Sequence, residues 1–262
     1  MKISNTAVVS VTPEIAVDGT GKIHKGLLLT VSLFTLLLVF PAIAIAGNID
    51  IPTATLKKGS FSVGLELDIS GRDVKYSDKE INENTRTYLV KGSYGLLDRV
   101  NLFGTLGGGS IHDDTGFEGD PGLAYGGGIK VHLYQYEDVF LLGLTGQFLR
   151  FTSQENNVSG VNGLTLKSTW NEYDLALGAS TTLSVSNFYG GGLLSIVDGE
   201  LKSPSATAHF KQSHLYGAFV GADAELIDHL RFGIEGRFFD ETSVSFKLSY
   251  AFGGPKQGPE KK

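Results

Sequence analysis

The sequence has no cysteine, and its only methionine is the first residue. Disulfides, thiolate metal sites and cysteine nucleophiles are therefore excluded. Positive charge is also short. With residues 1–46 set aside there are 19 Lys and Arg against 26 Asp and Glu, which argues against a nucleic-acid partner, because phosphate binding relies on concentrated cations. A third absence concerns helices: no stretch beyond Ala46 carries an apolar stripe of 3.6-residue period. Only one long hydrophobic run exists, between Leu27 and Ala46.

That run reads as an export signal. Lys22, His24 and Lys25 form a basic edge, "GLLLTVSLFTLLLVF" follows, and Pro41 breaks the helix before Ala44-Ile45-Ala46. Ala44 and Ala46 are the small residues a signal peptidase requires at its cleavage site. An uncleaved anchor is the rival, since about 20 apolar residues can span a bilayer. The Pro and the A-x-A pattern favour cleavage. Residues 1–46 are assigned to leader and signal, and residues 47–59 to a periplasmic lead-in.

What the mature chain does contain is alternation. "SFSVGLELDIS" places Phe61, Val63, Leu65, Leu67 and Ile69 on one face, and "SVSFKLSYAF" does the same with Val244, Phe246, Leu248, Tyr250 and Phe252. Period two over such lengths is the strand signature. Ten strands are expected, near 60–71, 85–95, 99–109, 122–134, 139–152, 168–181, 188–198, 213–226, 230–240 and 243–252, with eight or twelve as alternatives. The connections between them alternate long and short: 72–84 then 96–98, 110–121 then 135–138, 153–167 then 182–187, 199–212 then 227–229. Short turns at one end and long loops at the other are the asymmetry of outer-membrane barrels. The fold expected is all-β, a closed antiparallel transmembrane barrel over 60–252, followed by a flexible periplasmic tail over 253–262.

Alternation alone does not say which face is wet. Small residues such as Ser62, Gly64, Thr105, Gly126, Gly178 and Gly221 dominate the polar row, whereas a solvent-facing surface would be about a quarter to a third charged. The charges on that row are nearly balanced and would have to pair inside a narrow lumen: Glu66, Asp68, Glu172, Asp174, Asp223, Glu225 and Glu235 against Lys91, Lys130, Arg231, Arg237 and Lys247, with His132 beside them. The central apolar row holds no Lys or Arg, each of which would cost about 2–4 kcal/mol at mid-bilayer. Lipid therefore lies outside and the polar row inside. Such a sheet must close on itself, because lipid satisfies no backbone hydrogen bond.

Two stretches resemble known proteins. Phe246, Leu248, Tyr250 and Phe252 are similar to the carboxy-terminal assembly signal of outer-membrane proteins, although in that family the aromatic usually ends the chain and here ten residues follow. "YGLLDRVNLFGTLGGG", Tyr94 to Gly109, resembles the strand–turn–strand units of small Gram-negative porin-like and OmpA/OmpX-like barrels, with no motif that selects a subfamily. The resemblance implies residence in the bacterial outer membrane. The partners it implies are outer-membrane lipid and lipopolysaccharide, the barrel-assembly machinery and periplasmic chaperones.

Other signals are weaker. The glycine triplets at 107–109, 126–128 and 190–192 precede no helix, so they are inward close-packing positions rather than phosphate loops. Asp113, Asp114, Glu118 and Asp120 could offer oxygens to Ca²⁺ but lack EF-hand spacing, and read as a solvated acidic loop. Asp113-Asp114 and Asp228-His229 invite comparison with omptin proteases, yet fall at opposite barrel ends, too far apart to activate one water. No catalytic residue, cofactor or firm metal site is assigned. The expected role is structural or porin-like with a narrow polar lumen, and the many inward glycines favour a small passage. Surface binding through the 110–121, 153–167 and 199–212 loops is the alternative, and a hydrolase stands third.

Overall fold

The computed structural model describes Ile49 and residues 56–137, 139–156, 164–183 and 185–252. The expected signal and its Ala44–Ala46 site, and the 253–262 tail, lie outside the described residues. Eleven strands form: β1 Phe61–Tyr76, β2 Lys79–Leu97, β3 Val100–Asp113, β4 Asp120–Tyr136, β5 Phe140–Asn156, β6 Thr165–Leu183, β7 Ser186–Lys202, β8 Thr207–Gln212, β9 Tyr216–Ile227, β10 Leu230–Phe238 and β11 Thr242–Phe252. Each neighbour is antiparallel, and β1 pairs with β11 from Phe61↔Phe252 to Gly71↔Thr242, closing the sheet. Ten strands make this ring. The eleventh, β8, stands outside it.

β8 explains an inequality in strand length. A membrane-crossing strand needs about 9–11 residues, and β10 and β11 have 9 and 11. β1, β2 and β6 run to 16, 19 and 19, so they continue well beyond the bilayer at the end opposite the chain's turns at Asp98-Arg99 and Asp228-His229. Above the low β9–β11 wall, β8 pairs with β7 (Asp198↔Lys211 to Lys202↔Thr207) and with β1 (Val74↔Gln212 to Tyr76↔Phe210). It thereby closes a second, smaller ring of eight strands, β1 to β8. This ring is a collar on the outer end of the barrel.

The collar corrects the expected long loops. Residues 72–84 are a strand hairpin that turns through only Ser77 and Asp78, with Tyr76 paired to Lys79; Ser77 takes a left-handed φ of 54°. Segment 199–212 is largely β7 and β8, and 153–156 and 165–167 extend β5 and β6. The alternation persists there, but its polarity reverses. On β1 the outward row passes from Phe61, Val63, Leu65, Leu67 and Ile69 to Gly71, Asp73 and Lys75. Its inward row passes from Ser62, Gly64, Glu66 and Asp68 to Val74 and Tyr76. A search for a continuous apolar outward row stops at that reversal and misreads the rest as loop.

Below the reversal the outer surface is greasy. Leu65, Tyr88, Val90, Leu106, Leu123, Leu175 and Leu177 are exposed, and Tyr88, Tyr94, Phe140, Tyr250 and Phe252 all face outward, as the sequence requires. The period-two pattern there fixes register, since a one-residue slip would turn every apolar side chain inward.

Candidate functional site: the lumen

The inward row builds three levels. The lowest is a cavity of about 190 Å³ at the periplasmic end, reached by Lys91, Lys130, Arg231 and Lys247 and by Glu66 and Asp223. Lys91 Nζ binds Glu66 Oε1 at 3.0 Å, and Arg231 Nε meets Asp223 Oδ2 at 2.6 Å. Phe103 crosses the lumen above it, its ring 4.4 Å from the Lys91 ammonium and 5.8 Å from that of Lys130. Beyond Phe103 lies a smaller cavity of about 40 Å³, beside Asp68, Gln147 and Glu172.

The middle level is a layer of two arginines among carboxylates. Arg72 donates to Glu172 Oε1 at 2.9 Å and, through Nε, to Glu241 Oε2 at 2.9 Å; its Nη1 reaches Ser195 Oγ and Gln212 Oε1, both at 3.2 Å. Arg237 meets Asp240 at 2.7 Å, Glu241 at 2.6 Å, Asp174 at 3.4 Å and Glu172 at 3.5 Å. Gln147 donates to Asp174 at 2.9 Å. Both guanidinium groups are inaccessible to solvent. Charges so buried persist only when paired and hydrogen-bonded. Their partners arrive from strands across the lumen, so the layer ties opposite walls together.

The upper level is apolar. Val74, Ile111, Phe117, Phe151, Trp170, Val197 and Phe210 form one buried cluster inside the collar. Trp170 is its centre, with ring centroids 5.8 Å from Phe151 and 5.7 Å from Phe210. It links the levels: its Nε1 donates to Glu172 at 3.2 Å, and Arg72 lies 5.7 Å from its ring. Filled in this way, the collar interior is packed like the core of a soluble barrel.

The glycines follow the same logic. A Cβ on Gly109 would come within 2.7 Å of the Phe151 ring; one on Gly199 would strike Phe210, one on Gly221 Tyr189, and one on Gly128 Phe103. At these four inward positions the space beside the glycine is occupied by an aromatic ring from a nearby strand.

Glu66, Asp68, Lys91, Lys130, Glu172, Asp174, Asp223, Glu235 and Arg237 are buried on the inward row. Two stand apart. Glu225 is exposed at the β9–β10 turn and accepts the His229 backbone N–H at 2.9 Å, because the sheet ends one residue pair below it. His132 donates its ring N–H to the Tyr134 carbonyl at 3.1 Å, beside the β4–β5 irregularity. The strongest partners were missed: Arg72, Asp240 and Glu241. Arg72 continues the inward parity of Glu66, Asp68 and Ser70, and Asp240 and Glu241 stand three and four residues after Arg237 in a turn where Phe239 takes φ 80° and faces out.

Within the expected 47–59 periplasmic lead-in, Ile49 lies inside the barrel. Its N–H donates to Glu235 Oε1 at 2.7 Å, and its side chain is buried with Ala176, Tyr189, Leu193 and Phe219. An apolar patch on the inward faces of β6, β7 and β9 is what draws it in. Asp113, at the acidic tip, spends its Oδ1 on the N–H of Thr115 and Phe117 and on the Thr115 hydroxyl, and Phe117 folds back into the collar core. Among the described residues no group of three or more His, Asp or Glu could hold a metal ion. Asp113 lies at the outer end of β3 and His229 in the β9–β10 turn, at opposite ends of the barrel.

No family model matches the chain, and no curated protein matches it. Among solved structures it is similar to an outer membrane channel from Pseudomonas putida F1, at 12% identity and TM-score 0.42 over 76% of this chain and 97% of that one. It is also similar to the translocator domain of the autotransporter NalP from Neisseria meningitidis, at 10% identity and TM-score 0.44 over 76% and 90%. Likenesses so distant name no relative, and the sheet itself decides the class. A closed antiparallel ring of even strand number, with an apolar lipid-facing row and a polar lumen, is the architecture of the bacterial outer membrane. This is an outer-membrane barrel.

Proposed function

We propose that the barrel is a structural, non-enzymatic protein of the outer membrane, sealed against passage and raising a rigid collar above the lipid. The observation that carries this reading is the stacking of two obstructions: the Arg72–Arg237 layer and, directly above it, the Phe151–Trp170–Phe210 core. An ion crossing the first would have to break pairs worth several kcal/mol, then leave water altogether. A porin-like role would need both to open. The outer face of the collar, with Asp73, Lys75, Asn82, Asn84, Asn171, Asp198 and Lys202, offers a polar sheet surface for the second reading, attachment to a ligand at the cell surface. Lipopolysaccharide around the collar, and the assembly machinery and chaperones that deliver such barrels, are the partners proposed.

Planar-bilayer recording tests the seal. The wild-type protein is expected to show no steady conductance at moderate voltage, and a Trp170→Ala, Arg72→Ala double variant to show frequent openings. Steady conductance of the wild type would overturn the sealed reading and restore the pore.

A further inference from the structure

The lipid-facing wall is not uniform. Along the seam where β11 closes onto β1 lies an open groove of about 390 Å³. Tyr88 and Val90 of β2 line one side of it, and Phe232, Phe246 and Leu248 of β10 and β11 the other. The register accounts for the recess between them. Leu67 faces Tyr88 on one neighbouring strand and Phe246 on the other, and a leucine set between two rings stands lower than either. The Phe232 and Phe246 rings stack with centroids 6.5 Å apart, which makes that side a continuous ridge. Apart from the Tyr88 hydroxyl, these outward side chains offer only hydrocarbon.

Directly above the groove the outward row carries a cation. Arg86 stands one outward position above Tyr88 on β2, about 7 Å higher along the strand. It pairs with Ile69, the last apolar residue of the β1 row before Gly71, Asp73 and Lys75. Arg86 is exposed, and no ion pair engages it among the described residues. Its outward neighbours are Ile69 and Ser110 across the sheet and Tyr88 and Asn84 along the strand, so none brings a negative charge. An arginine is costly at mid-bilayer and nearly free at the interface, and this one lies at the polarity reversal, level with lipid headgroups. Its guanidinium presents a rigid fork of donors that matches a phosphate. Arg150 is the comparison. It stands on the outward row between Tyr125 and Asn171, but the rings of Tyr125, Phe148 and Tyr173 pack together beneath it. A cation above a groove is the shape of an amphiphile, and a cation above packed rings is not.

We infer that the β11–β1 seam holds one molecule of lipopolysaccharide, with a lipid A phosphate on Arg86 and an acyl chain in the groove between Tyr88 and Phe246. Height selects this occupant. Phosphate level with Arg86 and hydrocarbon beneath it belong to a lipid of the outer leaflet, whose headgroups lie at the collar end. A lipid of the inner leaflet presents its phosphate at the opposite end of the wall. The inference rests on the reading that lipopolysaccharide surrounds the collar, and deepens it by naming where one molecule is held.

Native mass spectrometry of the full-length, detergent-refolded protein with purified, phosphorylated lipid A tests the site. A saturable complex of one lipid A per barrel is expected. Arg86→Gln should weaken it by about fivefold to tenfold, and Arg86→Lys by less, since a charge remains without the fork. Leu67→Trp fills the groove and should weaken binding by about tenfold. Heat-modifiable migration verifies folding, and Val90→Trp replaces Leu67→Trp if that variant does not fold. Arg150→Gln should leave the affinity unchanged. Lipid A stripped of its phosphates should bind the wild type as weakly as lipid A binds Arg86→Gln. Equal affinity of the phosphorylated and stripped lipids overturns the phosphate contact, and unchanged affinity in the tryptophan variant overturns the groove. Tighter binding of phosphatidylglycerol than of lipid A overturns the source. A protein dimer that lipid A does not displace and that Leu67→Trp dissociates gives the groove to a second copy and overturns the site. Saturable binding that ignores every substitution keeps lipopolysaccharide as a partner and overturns this site alone; no binding at all overturns both. Conductance of the wild type would sink the sealed reading without touching this one.

Discussion

The lower barrel and the collar are made from the same strands and obey opposite rules. Along β1 the side chain that faces outward is Leu65 in the lower part and Lys75 in the upper; the one facing inward is Glu66 below and Val74 above. Nothing in the backbone changes at the crossover, and the hydrogen-bond ladder with β2 continues from Phe61↔Tyr94 to Tyr76↔Lys79 without a break. What changes is the solvent. Lipid outside makes an apolar outward row favourable and leaves the centre to paired charges; water outside reverses both preferences. A strand does not have one hydrophobic face. It has whichever face its surroundings select at each height.

The comparison can be broken at the boundary. Removing a guanidinium from the arginine layer should have the largest effect, because it leaves Asp174, Asp240 and Glu241 buried around a missing cation. Arg237→Ala is expected to destabilise the protein by about 3–5 kcal/mol, read as a lower urea midpoint for the loss of heat-modifiable migration. Trp170→Ala should cost a comparable or slightly smaller amount, about 3–5 kcal/mol, but confined to the collar. Hydrogen exchange should accelerate at Val74, Phe151 and Val197 and stay slow at Leu65 and Leu177. Equal acceleration at both heights would mean the collar is not a separate packing unit.

A matched pair of substitutions sharpens the contrast further. Leu65→Arg, on the lipid face, is expected to cost about 2–4 kcal/mol, whereas Asp73→Arg, four pleats higher on the same row, should stay within about 0.5 kcal/mol. Urea titration in lipid vesicles measures both. The smallest effect is one of pH. Glu83, in the collar, is pushed up to about 7 chiefly by burial and also by the nearby Asp113 charge, against the hydrogen bond it accepts from the Tyr76 hydroxyl. A carboxyl whose folded pKa lies above its unfolded value favours the folded state most below about pH 4, and that advantage fades as pH rises through about 7. Protection at the β1–β2 hairpin, corrected for the base-catalysed intrinsic exchange rate at each pH, should therefore be lower at pH 9 than at pH 5, and Glu83→Gln should flatten the difference.

The sequence revealed what local rules control. Outward rows such as Phe61 to Ile69 and Val244 to Phe252 follow from period two alone, and the closed ring follows once lipid is placed outside, because lipid satisfies no backbone hydrogen bond. The hairpin over 72–84 was hidden because Asp73 and Lys75 replace leucines on the outward row, which looks like loop to a reader expecting lipid. Arg72 was lost with that hairpin. β8 was hidden for another reason: its pairing to β1 joins residues more than a hundred apart, and no short-range pattern encodes such a contact. Trp170 has the parity of Glu172 and Asp174, so its inward direction was readable, but its meeting with Phe151 and Phe210 depends on how three strands approach in space.

The pairing of β8 with β1 also bears on the order of assembly. Every strand of the smaller circle has been made by the time the chain reaches Gln212. The final three strands then need only fill the gap beneath an arch already joined at its top, between β7 on one side and β1 on the other. A nascent barrel of this design can carry a finished roof before its last wall goes up.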